Sequence, residues 1–409
     1  MLKGRLLVLT PRFPYPTIGG DRIRILHLCR ALSREFDLTL LSLCETREEM
    51  QLEPHDGLFK HIWRVHLPRW RSYLNTVCAL PGSRPLQLAY YDCAAFRERV
   101  EILLPYHDAA VAHLIRTGQY LLDSPIPRVL EMTDAISLNY LRMRQTSGYR
   151  SWKKLVFRVE QERLQRYESA VVRLFDRVWL TSHDDRQFVD PAEECDIDVI
   201  PNGTDLELLP YRLPADDAKA IVFIGNMVSA QNQDACHYFI RNILPLVRAK
   251  APVVFRIVGN APEAVRRRFA AYEAVELTGR IEHIFEGVKG AFCGVCPVRA
   301  AAGIQNKILE YLALGLPCVT SPLGLGGVEA RPGREVMLYR DAEEAAAHIL
   351  RLYNNRDLRI SLAQAGRDLV VRHYDWNGIY RAFVDSCLTA AAHHAQWSAA
   401  SDRDISSAA

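Results

Sequence analysis

Hydrophobic residues in the first half of the chain alternate between short runs and helical spacing. The run RLLVLT is followed by the breaker-rich loop PRFPYPTIGGD, by RIRILHLCRALSREF with apolar residues at helical intervals, and by the apolar run FDLTLLSLCE. This order predicts strand, loop, helix and strand, the beginning of a doubly wound parallel sheet. Further strands are predicted at HIWRVHL, HDAAVAHLI, PRVLEMT and DRVWLTS.

A polar, proline-bearing stretch, IDVIPNGTDLELLPYRLPADDAKA, separates this half from a second series of the same kind. Strands are predicted at AIVFIGN, VVFRIVGN, VELTG, FCGVCPV and PCVTS, and helices at ACHYFIRNILPLVRA, PEAVRRRFAAY, GIQNKILEYLAL and DAEEAAAHILRLYNN. The sequence therefore predicts an α/β protein with two Rossmann-like, doubly wound parallel-sheet domains, residues 1–200 and 201–374. The small, polar tail 391–409 is predicted to be disordered.

Composition agrees with a globular protein of two cores, since 49% of the 409 residues are hydrophobic and 24% are charged. The net charge of +3 gives no reason to expect a nucleic-acid partner. The first apolar run is too short for a signal peptide, and no run approaches the roughly eighteen residues of a membrane span. We expect a cytoplasmic protein.

Residues 140–175 are predicted to be largely helical and carry nine Arg or Lys against three Glu. Such a stretch is typical of a solvated helix face. It also suits peripheral contact with an anionic membrane, as an enzyme with a membrane-embedded acceptor would need. Both interpretations stay open at this point.

The ten cysteines are scattered, mostly within apolar runs, as buried reduced thiols would be. Cys293 and Cys296 have a suggestive spacing but lie in a predicted strand and have no second ligand pair. No cluster of His or Cys has the spacing of metal ligands in the sequence. We therefore expect no metal and no cofactor.

Two loops follow predicted strands and precede helices, where ligands bind in open α/β sheets. In PTIGGD, Gly19 and Gly20 allow close approach of a phosphate or sugar, but the loop lacks the GxGxxG pattern of nicotinamide and flavin enzymes. In PVRAAAGIQNKILEYLALG, small residues lead to a helix with Lys307 and Glu310 on one face. These two side chains suit either a diphosphate and a ribose or an ordinary ion pair on a solvated helix.

The segment PVRAAAGIQNKILEYLALGLPCVTSPLGLGGV resembles the donor site of retaining glycosyltransferases of family 4. That family has a helix of the form Lys-x-x-Glu-x-x-Ala-x-Gly-x-Pro, which here is Lys307, Glu310, Ala313, Gly315 and Pro317. The segments PTIGGDRIR, VIPNGTD, FIGNMVSAQNQDA, IVGNAP and TGRI also resemble family segments in the expected order. VLEMTDAIS and YESAVVRLFDRVWLTS resemble sugar transferases of bacterial exopolysaccharide gene clusters.

The resemblance implies a GT-B fold, in which two Rossmann-like domains face each other across a cleft and a C-terminal helix, here about 375–390, packs back on the first domain. It implies a nucleotide-sugar donor linked to UDP or GDP, with Lys307 on the diphosphate and Glu310 on the ribose. The acceptor would be a glycan or a lipid-linked molecule. The implied donor-binding residues are Gly19, Gly20, Asn226, Gly279, Arg280, Ile281, Gly303, Ile304, Gln305, Asn306 and Glu310.

The chain departs from the family at three positions. Ala302 stands where a first Glu is common, and Asn226 and Gln231 stand where an Arg and a Lys neutralise the departing diphosphate. Something must replace that positive charge, because donors aimed at developing charge are usually the largest catalytic contribution. Arg299 and Lys307, which flank the small-residue loop, are the leading catalytic candidates.

Three polar residues at predicted strand ends of the first domain are candidates for the sugar and acceptor side: His113, Glu131 and Asp134. The alternatives are a structural histidine for His113 and a helix N-cap for Asp134. The resemblance implies retention of configuration, and we favour front-face displacement because no residue identifies itself as a covalent nucleophile. The competing functions are an epimerase or hydrolase of GT-B fold, a non-catalytic nucleotide-sugar-binding partner and, least favoured, a Rossmann dehydrogenase.

Overall fold

The computed structural model describes residues 3–17, 20–145, 151–299 and 304–390, and the predicted disordered tail 391–409 lies outside them. The chain divides into two compact units. Unit 1 comprises Met1–Ile200 and Tyr380–Ala409, and unit 2 comprises Pro201–Ile379. Each unit is built on one parallel sheet with helices, which confirms the predicted α/β class.

Unit 1 contains a seven-stranded sheet in the order β3-β2-β1-β4-β5-β6-β7. Its strands are β1 (Gly4–Thr10), β2 (Phe36–Cys44), β3 (His61–His66), β4 (Ala109–His113), β5 (Arg128–Thr133), β6 (Arg177–Leu180) and β7 (Ile197–Val199). All neighbouring strands pair in parallel. The order reverses between β1 and β4, which is the topological switch point of this sheet.

The helices of unit 1 fill the connections between these strands. They are α1 (Gly20–Leu32), α2 (Arg47–Gln51), α3 (Arg69–Ala79), α4 (Leu86–Tyr90), α5 (Ala94–Leu103), α6 (Ile115–Gly118), α7 (Ile136–Gln145), α8 (Ser151–Val171) and α9 (His183–Val189), with single 3₁₀ turns at Leu104–Tyr106 and Val172–Leu174. The predicted helical stretch 140–175 thus corresponds to the end of α7 and to α8.

Unit 2 contains a six-stranded parallel sheet in the order β10-β9-β8-β11-β12-β13. Its strands are β8 (Ala220–Ile224), β9 (Val254–Val258), β10 (Val275–Gly279), β11 (Ala291–Cys296), β12 (Cys318–Thr320) and β13 (Val336–Leu338). Its switch point lies between β8 and β11.

The helices that surround this second sheet follow the predicted alternation. They are α10 (Ala230–Tyr238), α11 (Leu244–Arg248), α12 (Glu263–Ala270), α13 (Ile284–Gly287), α14 (Asn306–Leu314), α15 (Pro322–Leu325), α16 (Ala342–Asn354) and α17 (Arg356–His373), with a π turn Phe239–Ile243 between α10 and α11. A last helix, α18, spans residues 376–390.

The central strands are mostly apolar because helices cover both faces of a parallel sheet. β8 and β11 are buried at every position, and β1 and β2 are buried at nearly every position. None of the described helices is long and apolar enough to span a lipid bilayer.

The end of α18 is fastened to unit 1 through buried polar contacts. Trp179 in β6 donates from Nε1 to Ser386 Oγ at 2.7 Å, and its ring lies 5.1 Å from that of Phe383. His27 Nδ1 in α1 lies 2.7 Å from the hydroxyl of Tyr380. These contacts place the C-terminal helix from residue 380 onward in the core of unit 1.

Gly259, after β9, fixes the loops at the carboxyl edge of the second sheet. Its φ of +142° is a conformation that other residues rarely adopt, and a Cβ there would lie 2.3 Å from the carbonyl oxygen of Gly225, after β8. The backbone of this loop therefore approaches β8 more closely than any side chain would permit.

We expect Gly259→Ala to lower the free energy of unfolding by at least about 2 kcal/mol, because the new Cβ meets backbone that cannot move aside. Gly378→Ala is the matched control: Gly378 lies within α18, and a Cβ there meets nothing within 4 Å. This control should be neutral or stabilise by up to about 1 kcal/mol. Urea denaturation measures both, and equal effects would contradict the close approach.

Candidate active site

The start of α14 lies at the switch point of the second sheet. β11 ends at Cys296, and residues 300–303, including the predicted Gly303 and the departure at Ala302, lie outside the described residues. Ile304 is buried, and Gln305 precedes the helix without a side-chain capping bond. The first amides of α14 and the positive end of its dipole are therefore available to an anion.

Tyr311 anchors α14 to both strands of the switch point. Its hydroxyl accepts a hydrogen bond from Ile224 N of β8 at 2.8 Å and donates to Val295 O of β11 at 3.1 Å. A Cβ on Gly294 of β11 would lie 2.5 Å from the Tyr311 ring, so the glycine makes room for it. Tyr311 was not predicted from the sequence, although a glycine within an apolar strand is a signal of close packing.

Lys307 is the main cation of this site. Its side chain is 9% exposed, and its Nζ lies 3.2 Å from Gln305 Oε1, 3.4 Å from Asn232 Oδ1 and 5.2 Å from the centre of the Phe223 ring. Among the described residues, no carboxylate forms an ion pair with it. A buried ammonium held by two amides and an aromatic ring needs an anion to complete its neutralisation.

Glu310 lies one turn further along α14 and is half-buried. Burial raises the pKa of its carboxyl to about 7, and the nearby charge of Lys307 opposes that shift. The two side chains do not form the ion pair of a solvated helix. Hydrogen bonds from a ligand, for example from two neighbouring hydroxyls, would therefore stabilise the ionised form of Glu310.

Arg299, the second predicted cation, is held by Asp234 of α10. Its Nε lies 3.1 Å from Asp234 Oδ2 and its terminal nitrogen 2.5 Å from Oδ1, while its guanidinium lies 5.0 Å from the centre of the Tyr238 ring. Much of its charge is therefore already neutralised within unit 2. Lys307 is the better placed of the two cations to bind an added anion.

The loop after β8 brings amide side chains to this site. Asn226 is exposed and accepts a hydrogen bond at Oδ1 from Val228 N at 3.1 Å. Asn232 donates from Nδ2 to Asn226 O at 2.9 Å while its Oδ1 accepts from Lys307. Asn232, which follows Gln231 and connects the loop to Lys307, was not predicted from the sequence.

The other predicted donor-side residues lie at the same carboxyl edge. Gly279 ends β10 with a φ of +74°, and the exposed Arg280 and half-buried Ile281 follow it. Asn306 opens α14 and accepts a hydrogen bond at Oδ1 from Asn202 Nδ2 at 2.9 Å. The loop after β8, the turn after β10 and the start of α14 are thus on one side of the sheet of unit 2.

In unit 1, His113 belongs to a buried charged network at the carboxyl ends of β4 and β5. Glu131 accepts hydrogen bonds from Arg24 Nε at 2.7 Å and from His113 Nδ1 at 2.5 Å. Although burial opposes ionisation, Arg24 and then His113 hold the pKa of Glu131 at about 2. Because an ionised carboxylate only accepts, Nδ1 donates and neutral His113 has Nε2 as an acceptor.

The backbone at these two strand ends is strained. Leu114, directly after β4, has a φ of 66°, and Thr133, the last residue of β5, has a φ of 65°. Such values are costly for residues with a branched side chain and occur preferentially at functional sites. Thr133 Oγ1 also donates to both oxygens of Glu131, at 2.9 and 3.1 Å.

Asp134 follows this network and is half-buried. Burial and the neighbouring carboxylate of Asp185 raise its pKa to about 7. The amides at the start of α7 are bonded by other carboxylates, since Ala135 N donates to Asp185 at 2.9 Å and Ser137 N to Glu168 at 3.3 Å. No capping bond of Asp134 is found in the described chain, so the N-cap alternative has no support there.

The remaining predicted positions are the glycines of the first loop and the cysteine pair. Gly19 lies outside the described residues, and Gly20 is the exposed first residue of α1. Cys293 and Cys296 are buried reduced thiols in β11. Within the described ranges, no three His, Cys, Asp or Glu side chains cluster as metal ligands.

Part of unit 2 matches a known protein family. Residues 218–355 match the family of glycosyl transferases, group 1. The match spans β8 to α16 and therefore includes α14 and both strands of the switch point. No curated protein sequence matches the chain.

Solved structures of glycosyltransferases resemble the whole chain. Sucrose-phosphate synthase from Thermosynechococcus elongatus has a TM-score of 0.67 at 16% identity, with coverage of 97% of this chain and 100% of that one. HepE from Anabaena in complex with UDP has a TM-score of 0.64 at 14% identity, covering 94% of this chain and 100% of that one. α,α-Trehalose 6-phosphate synthase from Burkholderia multivorans has a TM-score of 0.66 at 13% identity, covering 95% and 99%.

The two parallel sheets and these likenesses show that the chain has the GT-B glycosyltransferase fold, as the sequence resemblance implied. At identities below 20%, the comparison with solved structures concerns the fold and leaves the roles of individual residues to the geometry of the site.

We expect Tyr311→Phe to lower the free energy of unfolding by about 1–3 kcal/mol, because Ile224 N and Val295 O both lose their partner in a buried place. Tyr339→Phe is the matched control in unit 2, since the buried Tyr339 hydroxyl has no hydrogen-bond partner among the described residues. That control should be neutral or stabilising. Equal losses in urea denaturation would show that the Tyr311 hydroxyl does not hold α14 in place.

Proposed function

We propose that this protein is a retaining glycosyltransferase that moves a sugar from a UDP- or GDP-linked donor to a glycan or lipid-linked acceptor. The observation that carries the proposal is Lys307, a buried cation without a carboxylate partner at the start of α14 in the described chain. A diphosphate supplies the missing negative charge, and the free amides of the helix add hydrogen bonds.

Glu310 extends this arrangement to a nucleotide. It lies one turn from Lys307, and its carboxylate can accept from the two hydroxyls of a ribose. In the proposal, the backbone of Gly279, Arg280 and Ile281 contacts the base, and Gly20, Asn226, Ile304, Gln305 and Asn306 line the donor. The structural neighbour HepE is described in complexes with UDP and with UDP-glucose, which favours UDP as the first nucleotide to test.

The proposed chemistry is front-face displacement. The bond between the anomeric carbon and the phosphate oxygen breaks, the acceptor oxygen bonds to the same face of that carbon, and the acceptor proton passes to the departing phosphate. Lys307, assisted by Arg299, stabilises the leaving diphosphate, which is usually the dominant contribution to such catalysis. No metal is required in this scheme.

Two residues of unit 1 are proposed to act on the sugar and acceptor. The Nε2 of His113 accepts a hydrogen bond from a hydroxyl, while Glu131, itself held by Arg24, fixes the orientation of the ring. Asp134, whose raised pKa of about 7 keeps it partly protonated near neutral pH, binds a second hydroxyl. Glu131 itself is engaged by Arg24, His113 and Thr133 and is therefore unsuited to covalent attack.

We place this activity in the biosynthesis of cell-surface polysaccharide or exopolysaccharide, at the cytoplasmic side of a membrane that the protein contacts peripherally. The sequence resemblance to exopolysaccharide transferases and the basic helix α8 support this setting.

A non-catalytic nucleotide-sugar-binding partner is the second candidate. It is favoured by the replacement of two common family cations by Asn226 and Gln231, and by the pairing of Arg299 with Asp234. Donor consumption separates the possibilities: a transferase consumes donor only with acceptor, a hydrolase or epimerase converts donor alone, and a binding partner does neither.

A thermal-shift panel of UDP, GDP, ADP and their sugars tests the proposed donor class. The preferred nucleotide should raise the melting temperature in a concentration-dependent manner, since binding to the folded state stabilises it by mass action. Absence of a shift with every nucleotide would contradict the proposal.

We expect Lys307→Ala to lower kcat about 100-fold at saturating donor, because one donor to a developing charge contributes about 3 kcal/mol in comparable sites. Lys250→Ala, which removes an exposed lysine of the same unit, should leave kcat unchanged. Near-normal turnover by Lys307→Ala would refute the assigned role.

We expect binding of UDP-glucose to weaken as pH falls below about 7, approaching about tenfold per pH unit, because the ribose needs the ionised form of Glu310 and its raised pKa favours the protonated form. The diphosphate diester of this ligand does not titrate in that range. Isothermal titration calorimetry measures the affinity.

Glu310→Gln should bind more weakly and without this pH dependence, whereas the exposed control Glu343→Gln should behave as the unmodified protein. A pH profile that Glu310→Gln leaves unchanged would assign the titration to another group.

A further inference from the structure

Helix α3 has the reverse of the usual burial pattern. Ser72 is its only buried residue, and Asn75 and Thr76, which lie on the same side, are partly covered. Asn75 Nδ2 donates to Asp92 O, outside the helix, at 2.9 Å, whereas Thr76 Oγ1 donates to Ser72 O within the helix at 2.8 Å. The helix is therefore attached to unit 1 through its small and polar side.

The opposite side of α3 and the residue after it form a continuous apolar stripe, which we call the α3 face. Its members recur at helical spacing and are more than half exposed: Trp70 (68%), Tyr73 (61%), Leu74 (53%), Val77 (60%) and Leu80 (53%). Single exposed apolar residues are normal on protein surfaces, whereas a contiguous group with a Trp and a Tyr marks an interaction site.

A basic cavity adjoins the end of this stripe. It has a volume of about 650 Å³ and is lined by arginines from α5, α8 and the segment before α4, together with Asp123. Arg163 of α8 lies at the junction, since its terminal nitrogen donates to Leu80 O at 2.8 Å. We call the set Arg84, Arg97, Arg163 and Arg166 the arginine pocket.

The arginine pocket keeps an excess of positive charge. Arg84 and Arg97 share one carboxylate, Asp92, at 2.8 and 3.6 Å. Arg163 has only a carbonyl partner, and the exposed Arg166 has no ion pair within the described ranges. The arginine pocket is thus suited to bind a phosphate-bearing anion.

We infer that the α3 face and the arginine pocket form one docking surface for an anionic phospholipid bilayer. The apolar stripe enters the interfacial layer of the bilayer, where Trp and Tyr are favoured, and the arginines bind the lipid phosphates beside it. The inference rests on the proposed function and deepens it, because it gives the site by which an enzyme with a lipid-linked acceptor reaches its substrate.

The charge distribution distinguishes a bilayer from a second copy of the chain. A two-fold interface through the α3 face would bring the arginine pockets of both copies to its rim, and like charges there oppose association. A bilayer with anionic lipids provides apolar and negatively charged groups in the same plane. The combination therefore matches a membrane better than a dimer.

The location of α3 fits this function. It begins at Arg69, just after β3 ends at His66, and thus at the carboxyl edge of the sheet in unit 1. His113 and Asp134 lie at or just beyond the carboxyl ends of β4 and β5 in the same sheet. The start of α3 and the proposed acceptor residues therefore lie at the same edge of the sheet in unit 1.

Sedimentation of the full chain with vesicles tests the inference without any nucleotide, so that it can fail while the proposed donor site stands. We expect binding to phosphatidylcholine vesicles that contain phosphatidylglycerol, weak binding to phosphatidylcholine alone, and release by high salt. Binding that is absent, or independent of anionic lipid, would overturn the inference.

Two pairs of variants locate the surface. Tyr73→Ser/Leu74→Ser/Val77→Ser should weaken vesicle binding about tenfold or more, whereas Leu208→Ser/Leu213→Ser/Val371→Ser, a set of exposed apolar residues outside α3, should not. Arg166→Glu should weaken it about tenfold, and Arg268→Glu, which reverses an exposed charge on α12, should have little effect. Circular dichroism confirms that each variant is folded.

Trp70 provides a direct readout of insertion. Brominated lipids should quench part of the tryptophan fluorescence, and Trp70→Phe should lose that part while still binding vesicles. Equal quenching in both proteins would overturn the inference. A dimer of the free protein that the triple serine variant dissociates would assign the α3 face to a second copy instead and would likewise overturn it.

Discussion

The hydroxyl of Tyr311 is the contact on which the candidate donor site depends. It bonds to the backbone of β8 and of β11, the two strands at which the order of the second sheet reverses, and so fixes the start of α14 at the switch point. Lys307 and Glu310 lie within one turn of Tyr311 on the same helix. Their positions therefore follow from the sheet rather than from the loop that precedes them.

The buried carboxyl groups of the two units differ in the number of hydrogen-bond and ion-pair partners that the protein provides. Glu131 is surrounded by Arg24, His113 and Thr133, and the charges of Arg24 and His113 keep its pKa at about 2 although burial opposes ionisation. Asp134 and Glu310 are left without such partners, and burial raises the pKa of each to about 7. A satisfied carboxylate orients its neighbours, whereas an unsatisfied one is available to a ligand.

The sequence predicted the parts of this arrangement that are local in the chain. Alternation of strands and helices identified the α/β class, and the spacing of Lys307 and Glu310 placed them on one helix next to a strand end. The pairing of Arg299 with Asp234, and of Glu131 with His113 and Arg24, could not be predicted, because the partners are separated by 65, 18 and 107 residues. The exposure of the α3 face could not be predicted either, since periodicity identifies an apolar stripe but does not show whether another element covers it.

The central claim is that the start of α14 binds the diphosphate of a nucleotide sugar, and a crystal structure of the protein with UDP-glucose tests it most directly. We predict that the diphosphate lies within hydrogen-bond distance of Lys307 Nζ and of the first amides of α14, with both ribose hydroxyls on Glu310. A nucleotide bound away from Lys307, for example at the loop after β1 in unit 1, would contradict the account.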